Sequence, residues 1–330
     1  MAKRYNYVVS PSNSINTIVM KKFCFIAIAL LSFSVAQAQH QVNSFFDDMG
    51  MLRIETQELA QSADTLVSVF HRSDDVVWAR VVYRIIDMRF KQNYQLYTPV
   101  SPSDPKYSSL FKVILGAIQE GLPVYEKSTE VGDIKPYYNQ PPMAMENIPT
   151  ILNTDRDGEL GDGNIATSEY MLINYDSITG EVKFNDYSYK NFVRNQLKYV
   201  IQEVVFFDRH YSRLYTKIMS IAPMNADNTT YYDDMPVMEA LYGQILFWIP
   251  FDALRPYLAK QYIMPRKNET KRVTFDEFFA KKLYTTYLVG ESDLYDRMIP
   301  DYAKTYEEIN KEQNRIEAEL LNTEVDLWEY

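Results

Sequence analysis

The chain has 330 residues, is 46% apolar and 14% aromatic, and carries a formal charge of −10 with a single cysteine. That charge argues against nucleic acid or an anionic membrane surface as a partner, since both require positive patches. One cysteine cannot build a disulfide framework or a cysteine metal site, so an ordinary hydrophobic core must hold the fold.

The opening residues read as an export signal. Met20-Lys21-Lys22 is followed by an apolar run from Phe23 to Val35 and by Ala36-Gln37-Ala38 before Gln39, the three parts of a secretory signal peptide. The run is shorter than the roughly 20 apolar residues that cross a bilayer. Residues 1–38 are therefore expected to be removed, with Met20 as the initiator. Cys24 lies near the start of the apolar run rather than just after it, which argues against lipidation. Cleavage leaves 30 basic and 44 acidic residues, a formal charge of −14 on an exported chain.

Residues 39–73 read as a flexible N-terminal arm, with a helix between Gln57 and Phe70. Trp78, Val81, Val82, Ile85 and Ile86 fall at helical spacing behind the acceptors Ser73, Asp74 and Asp75. That spacing predicts a helix ending near Lys91–Asn93, with Tyr94–Pro99 extended. A second helix carries Leu110, Phe111, Ile114, Ala117 and Ile118 and stops at Gly121 and Pro123. Prolines and glycines break the chain over 123–163, a candidate hinge within a domain spanning 74–330.

Strand signals follow. Tyr170–Tyr175 and Val182–Phe184 read as a hairpin, and Val200–Phe207, Leu214–Ile221 and Leu241–Ile249 as further β-rich runs. A short helix after Pro250 carries Phe251, Leu254 and Leu258. Thr274 and Glu277 form a capping box that starts a helix burying Phe275, Phe278 and Phe279. From Tyr302 to Leu321, apolar residues at Tyr302, Tyr306, Ile309, Ile316 and Leu320 make one stripe on a charged helix. The expected class is α+β: a helical N-terminal part, a sheet-rich middle and a long charged C-terminal helix.

Chemistry is scarce. The three histidines, His40, His71 and His210, have no second ligand at metal spacing, and His71 and His210 read as surface or capping residues. The chain contains no H-E-x-x-H, G-x-S-x-G or Walker sequence, so no catalytic residue and no cofactor are expected. The 153–164 loop follows calcium-loop spacing through Asp155, Asp157 and Gly158, with Asp162 beyond. Its twelfth position is Asn164 rather than the closing bidentate glutamate. It reads as an acidic surface loop, with a weak calcium site as the alternative. Arg80, Arg84 and Arg89, with Asp87 among them, read as ion pairs on a covered surface, the alternative being ligand binding.

Three blocks carry a resemblance. The first runs from Asp75 through Trp78, Arg80, Arg84 and Asp87 to Asn93. The second runs from Val200 to Asp208 and on to Ile221-Ala222-Pro223, with Val205 where an aromatic residue is expected. The third comprises Phe247-Trp248, Thr274–Phe279, Asp296–Ile299 and the terminal Asp326-Leu327-Trp328-Glu329-Tyr330. Together they resemble the GldN/PorN family over residues 70 to 330. The resemblance implies a non-enzymatic subunit of the periplasmic ring of the type IX secretion and gliding machinery. It also implies self-association in a ring, assembly with a GldK/PorK-like outer-membrane lipoprotein and contact with a GldM/PorM-like periplasmic domain. The family positions are Trp78, Arg80, Arg84, Asp87, Asn93, Asp208, Asp326, Trp328 and Tyr330, with Trp78 and Trp328 read as packed core residues. The alternative reading is a secreted calcium-dependent binding protein or hydrolase using the 153–164 loop.

Overall fold

A computed structural model describes residues 71–104, 107–128, 134–136, 138–144, 147–153, 172–175, 182–226, 237–265, 273–292 and 297–328. The expected signal peptide, the expected arm up to residue 70 and the acidic loop beyond Asn153 lie outside these residues, as does part of the expected hinge. The class is α+β. Its strands are β1 (Val76–Asp87), β2 (Ile173–Tyr175), β3 (Val182–Phe184), β4 (Leu197–Asp208), β5 (Arg213–Asn225), β6 (Gln244–Ile245), β7 (Ile249–Pro250) and β8 (Tyr287–Glu291). Its helices are α1 (Tyr94–Tyr97), α2 (Leu110–Gln119), α3 (Asn147–Asn153), α4 (Asp186–Asn191), α5 (Val237–Tyr242), α6 (Phe251–Lys260), α7 (Phe275–Ala280), α8 (Ile299–Tyr302) and α9 (Tyr306–Trp328).

The first expected helix is instead a twelve-residue strand, β1. Val76, Val77, Val81, Val82, Ile85 and Ile86 are β-branched and lose more rotamer freedom in a helix than in a pleated sheet. Val82, Tyr83, Ile85 and Ile86 are all buried. From Val82 onward the strand is buried on both faces apart from Arg84, so the polar–apolar alternation that marks a strand is lost and its apolar positions also satisfy helical spacing. The next segment also differs, since Tyr94–Tyr97 forms one helical turn rather than extended chain. Pro99 forces extension only on its immediate neighbour, and Thr98 has φ −98° and ψ 137°.

β1 lies inside an antiparallel sheet ordered β6-β5-β4-β1-β8, with β7 also paired to β5. It pairs along nearly its whole length with β4, from Val76 opposite Asp208 to Asp87 opposite Lys198. β4 and β5 form a long hairpin, turned at Arg209–Ser212 with Ser212 at φ 50°. β2 and β3 make the separate expected hairpin. Where one strand was expected over Leu241–Ile249, α5 ends at Tyr242 and two short strands follow Gly243. Gly243 has φ +125°, and a Cβ there would collide with the backbone of Asn225 and Ala226, so the strand cannot begin earlier.

Both faces of the sheet are covered. Ile86, Tyr199, Ile201 and Ile221 pack against Phe111, Ile114 and Ile118 of α2, Leu254 and Leu258 of α6, and Phe275, Phe278 and Phe279 of α7. Farther along that face, by the period-two alternation of β1, Val82 and Val205 meet Ile299 of α8 and Ile309, Ile316 and Leu320 of α9. On the opposite face Tyr83, Ile85, Val200, Ala222 and Met224 pack with Tyr125, Ile134, Met238 and Trp248. Trp248 is fully buried and its Nε1 donates to the Ile134 carbonyl at 2.8 Å.

The helices begin and stop where local chemistry dictates. Ser109 caps α2 by accepting from the Lys112 N–H, and Gly121 at φ 100° ends it. There Leu122 N–H reaches Ala117 O and Gly121 N–H reaches Ile118 O, the paired bonds of a Schellman stop. Thr274 accepts from the Glu277 N–H and starts α7 as expected. α9 begins at Tyr306, later than Tyr302, because Thr305 and Glu308 cap each other reciprocally. Tyr302 and Tyr306 consequently lie outside the buried stripe and are exposed.

Two buried tyrosines differ in a measurable way. The Tyr189 hydroxyl pairs with Ser109 Oγ at 2.7 Å, whereas the Tyr199 hydroxyl has no partner among the described residues. A buried hydroxyl without a hydrogen bond opposes folding. Tyr199→Phe is expected to leave stability unchanged or raise it by about 1 kcal/mol, while Tyr189→Phe lowers it by about the same amount. Thermal or urea unfolding of the two variants checks the contrast.

Candidate functional site

The arginines of β1 point to the face that carries α9. Arg80 donates to Glu291 of β8 at 2.8 Å and to Glu319 of α9 at 3.1 Å. Arg315 donates to the other oxygen of Glu319 at 2.9 Å and lies 3.7 Å from Glu291, closing a ring of two arginines and two glutamates. Four residues along the same face of β1, Arg84 stands between the buried Glu203 of β4, at 3.4 Å, and Glu317 of α9, at 3.1 Å. Tyr284 donates to the second oxygen of Glu203, and burial with that charge pushes its phenol far up. The Arg80 guanidinium also sits 5.4 Å from the ring of the half-buried Trp78, which packs beside the α9 cluster. Ion pairs therefore pin α9 to the sheet at two points above its apolar stripe.

The end of β1 holds a second cluster. Asp87 is buried and accepts from the Arg89 guanidinium at 2.7 Å and from the Arg89 N–H at 2.9 Å. Burial raises its carboxyl, but the Arg89 hydrogen bonds and the Lys198 charge together hold it below the usual carboxylate range. Asn93 is fully buried and spends both ends of its amide. Its Nδ2 donates to the carbonyls of Asp87 at 2.8 Å and Thr285 at 2.7 Å, and its Oδ1 accepts from the Thr285 N–H at 2.8 Å. One asparagine thus ties the exit of β1 to the approach of β8.

At the far end of the sheet, Asp208 closes β4. Its carboxylate takes the backbone N–H groups of His210 at 2.8 Å and Tyr211 at 3.2 Å, and the His71 Nδ1 lies 2.5 Å from its other oxygen. Of the surface and capping roles expected for His71, the surface one fails, since the side chain is buried with its ring packed against Phe206, Tyr211 and Tyr215. The burial follows from β1 being a strand, which delivers the segment leading into it, from His71 to Asp75, to the β4–β5 turn. Burial raises the Asp208 carboxyl, while His71 and the two backbone donors lower it further, so it lies below its ordinary value.

The chain matches the family described as gliding motility associated protein GldN over residues 71–329. It belongs to the GldN family. No curated protein sequence matches the chain. The match begins at His71, where the described fold also begins, and takes in all three clusters.

In this GldN-family chain the motif positions Trp78, Arg80, Arg84, Asp87, Asn93 and Asp208 are distributed along β1 and its partners. They do not converge on one pocket. Asp326 is exposed near the end of α9, whereas the Trp328 side chain and Tyr330 lie outside what is described. Asp155, Asp157 and Asp162 also lie outside the described residues, and among those residues no group of three His, Cys, Asp or Glu side chains is placed to hold a metal. Arg80, Arg84 and Arg89 each pair with an acid, Arg80 and Arg84 beneath α9 and Arg89 from an exposed position rather than a covered surface. Sequence reading missed the buried acids Glu203, Glu239 and Asp276 and the burial of His71. Glu239 accepts from Lys127 at 2.6 Å and from the Ile245 N–H at 3.0 Å, and Asp276 is held by Arg255 at 2.8 Å. The start of α9 was missed as well, although Thr305-x-x-Glu308 has the spacing of a capping box.

Arg84→Met strips the ion-pair partner from buried Glu203 and is expected to cost about 3 kcal/mol. Arg80→Met should cost about 1 kcal/mol or less, because its partners are more exposed and Glu291 retains Arg315. Chemical denaturation distinguishes the two. Asp208 has a folded-state value below its unfolded one, so its stabilising contribution is present above the ordinary carboxylate range and lost as pH falls through the folded value. Asp208→Asn is expected to lose about 2 kcal/mol at neutral pH. The gap from the native chain should narrow below about pH 4 in melts run as a function of pH.

Proposed function

We propose that this GldN-family chain is a non-enzymatic structural subunit of the periplasmic ring of the type IX secretion and gliding machinery. In this reading it self-associates, assembles with a GldK/PorK-like outer-membrane lipoprotein and meets a GldM/PorM-like periplasmic domain. Membership of a gliding-motility-associated family supports the machine. The observation that carries the structural role is the use made of the motif side chains. Arg80, Arg84, Asp87, Asn93 and Asp208 each bind another part of the same fold, which supports a motif that specifies a shape rather than a reaction centre. No helix among the described residues is long and apolar enough to cross a membrane, in keeping with attachment to the outer membrane through a lipoprotein partner.

The test uses the full chain tagged in its own cell. Extraction of the envelope in mild detergent should recover it in a large assembly with a lipoprotein, and its deletion should stop protein secretion. A chain that is recovered as a monomer, with secretion intact after deletion, would overturn the proposal.

A further inference from the structure

We infer that the outward face of the C-terminal half of α9 is a docking strip for an amphipathic helix with basic flanks. The face that α9 turns to the sheet is occupied, since Ile309, Ile316 and Leu320 are buried there. At 100° per residue, Ala318, Leu321 and Val325 fall on the opposite side. All three are exposed, Leu321 at 66% and Val325 at 60%. A helix that merely covers a sheet carries one apolar stripe, and this one carries two. The outer residues are spaced 3 and 4 apart, with a leucine followed by a β-branched residue, the repeat by which helices interlock. In the first half of α9 the same side carries Glu307, Lys311 and Asn314, so the second stripe is confined to the end of the helix.

Charge selects the occupant. Beyond Arg315 the chain contains Glu317, Glu319, Glu324, Asp326 and Glu329 and no basic residue. Glu317 and Glu319 are taken by the arginines of β1 and by Arg315, and Asp326 is exposed. A second copy docked on this strip would set acid against acid. A helix with an apolar seam between lysines or arginines meets both the stripe and its border. This names a class of partner for the subunit proposed above, yet it stands on the stripe itself and not on the ring.

The experiment offers the full mature chain two synthetic helices of about three heptads, with leucine at the seam and either arginine or glutamate at the flanks. Fluorescence anisotropy should show the arginine-flanked peptide binding, with affinity falling as salt rises. The glutamate-flanked peptide should not bind. Leu321→Asp with Val325→Asp removes two anchors while adding negative charge, and Ala318→Arg obstructs the strip while keeping a helix former. Both should weaken binding by about ten-fold or more without shifting the melting temperature, because all three side chains are exposed. Tighter or unchanged binding by the Asp double variant would reduce the effect to bulk charge and overturn the inference. So would a failure of the arginine-flanked peptide to bind, or self-association of the chain that the same substitutions abolish. A ring that assembles without this strip would leave the functional proposal standing and sink only this one.

Discussion

The pairing of β1 with β4 is the contact on which the other parts depend. It places Arg80 and Arg84 under α9 and delivers His71 to Asp208. It also carries Asp87 to the point where Asn93 can reach β8. The two strands lie far apart in the chain, so closing them costs loop entropy before it brings any gain. The apolar surface on both faces repays that cost. Val82, Ile85 and Ile86 of β1 and Val200 and Ile201 of β4 are completely buried, and they belong to three different clusters. Hydrophobic burial drives the closure, while polar groups determine which residues face one another.

The polar groups are consequently few and heavily committed. Across the middle of the sheet, Ser220 Oγ donates to Gln202, and Gln202 donates to the Tyr83 hydroxyl, so a buried amide is satisfied across three strands. Sliding β4 by one residue would bury these groups without partners and turn Glu203 into the wrong face. Such networks add little net stability over an apolar substitute, but they make every other register costly. Arg84 and Glu203 act in the same way between the sheet and α9.

The fold was legible in the sequence where one signal acted alone. α2, α6 and α7 appear at the expected places because their apolar residues are periodic and their ends carry a capping serine, a proline or a capping threonine. β4 and β5 were legible from their β-rich composition. β1 was not, because burial on both faces removes the alternation that marks a strand. Among the functional positions, the pairing of the arginines was legible from the acids around them. The identity of the acids was not, because Glu203, Glu291, Glu317 and Glu319 come from three elements that only the topology brings together. His71 beside Arg72 reads as a polar edge until Asp208 is placed opposite it.

The antiparallel arrangement has a mechanical consequence. The hydrogen bonds joining β1 to β4 run across the strands, so a pull along the strand axis strains many of them together and not one after another. Arg80 and Arg84 add links to α9 at intervals along the same strand, and the Asn93 and His71 clamps close its two ends. A body built in this way resists traction in that direction far better than peeling from its edge. Stiffness of that kind suits a component of an apparatus that moves.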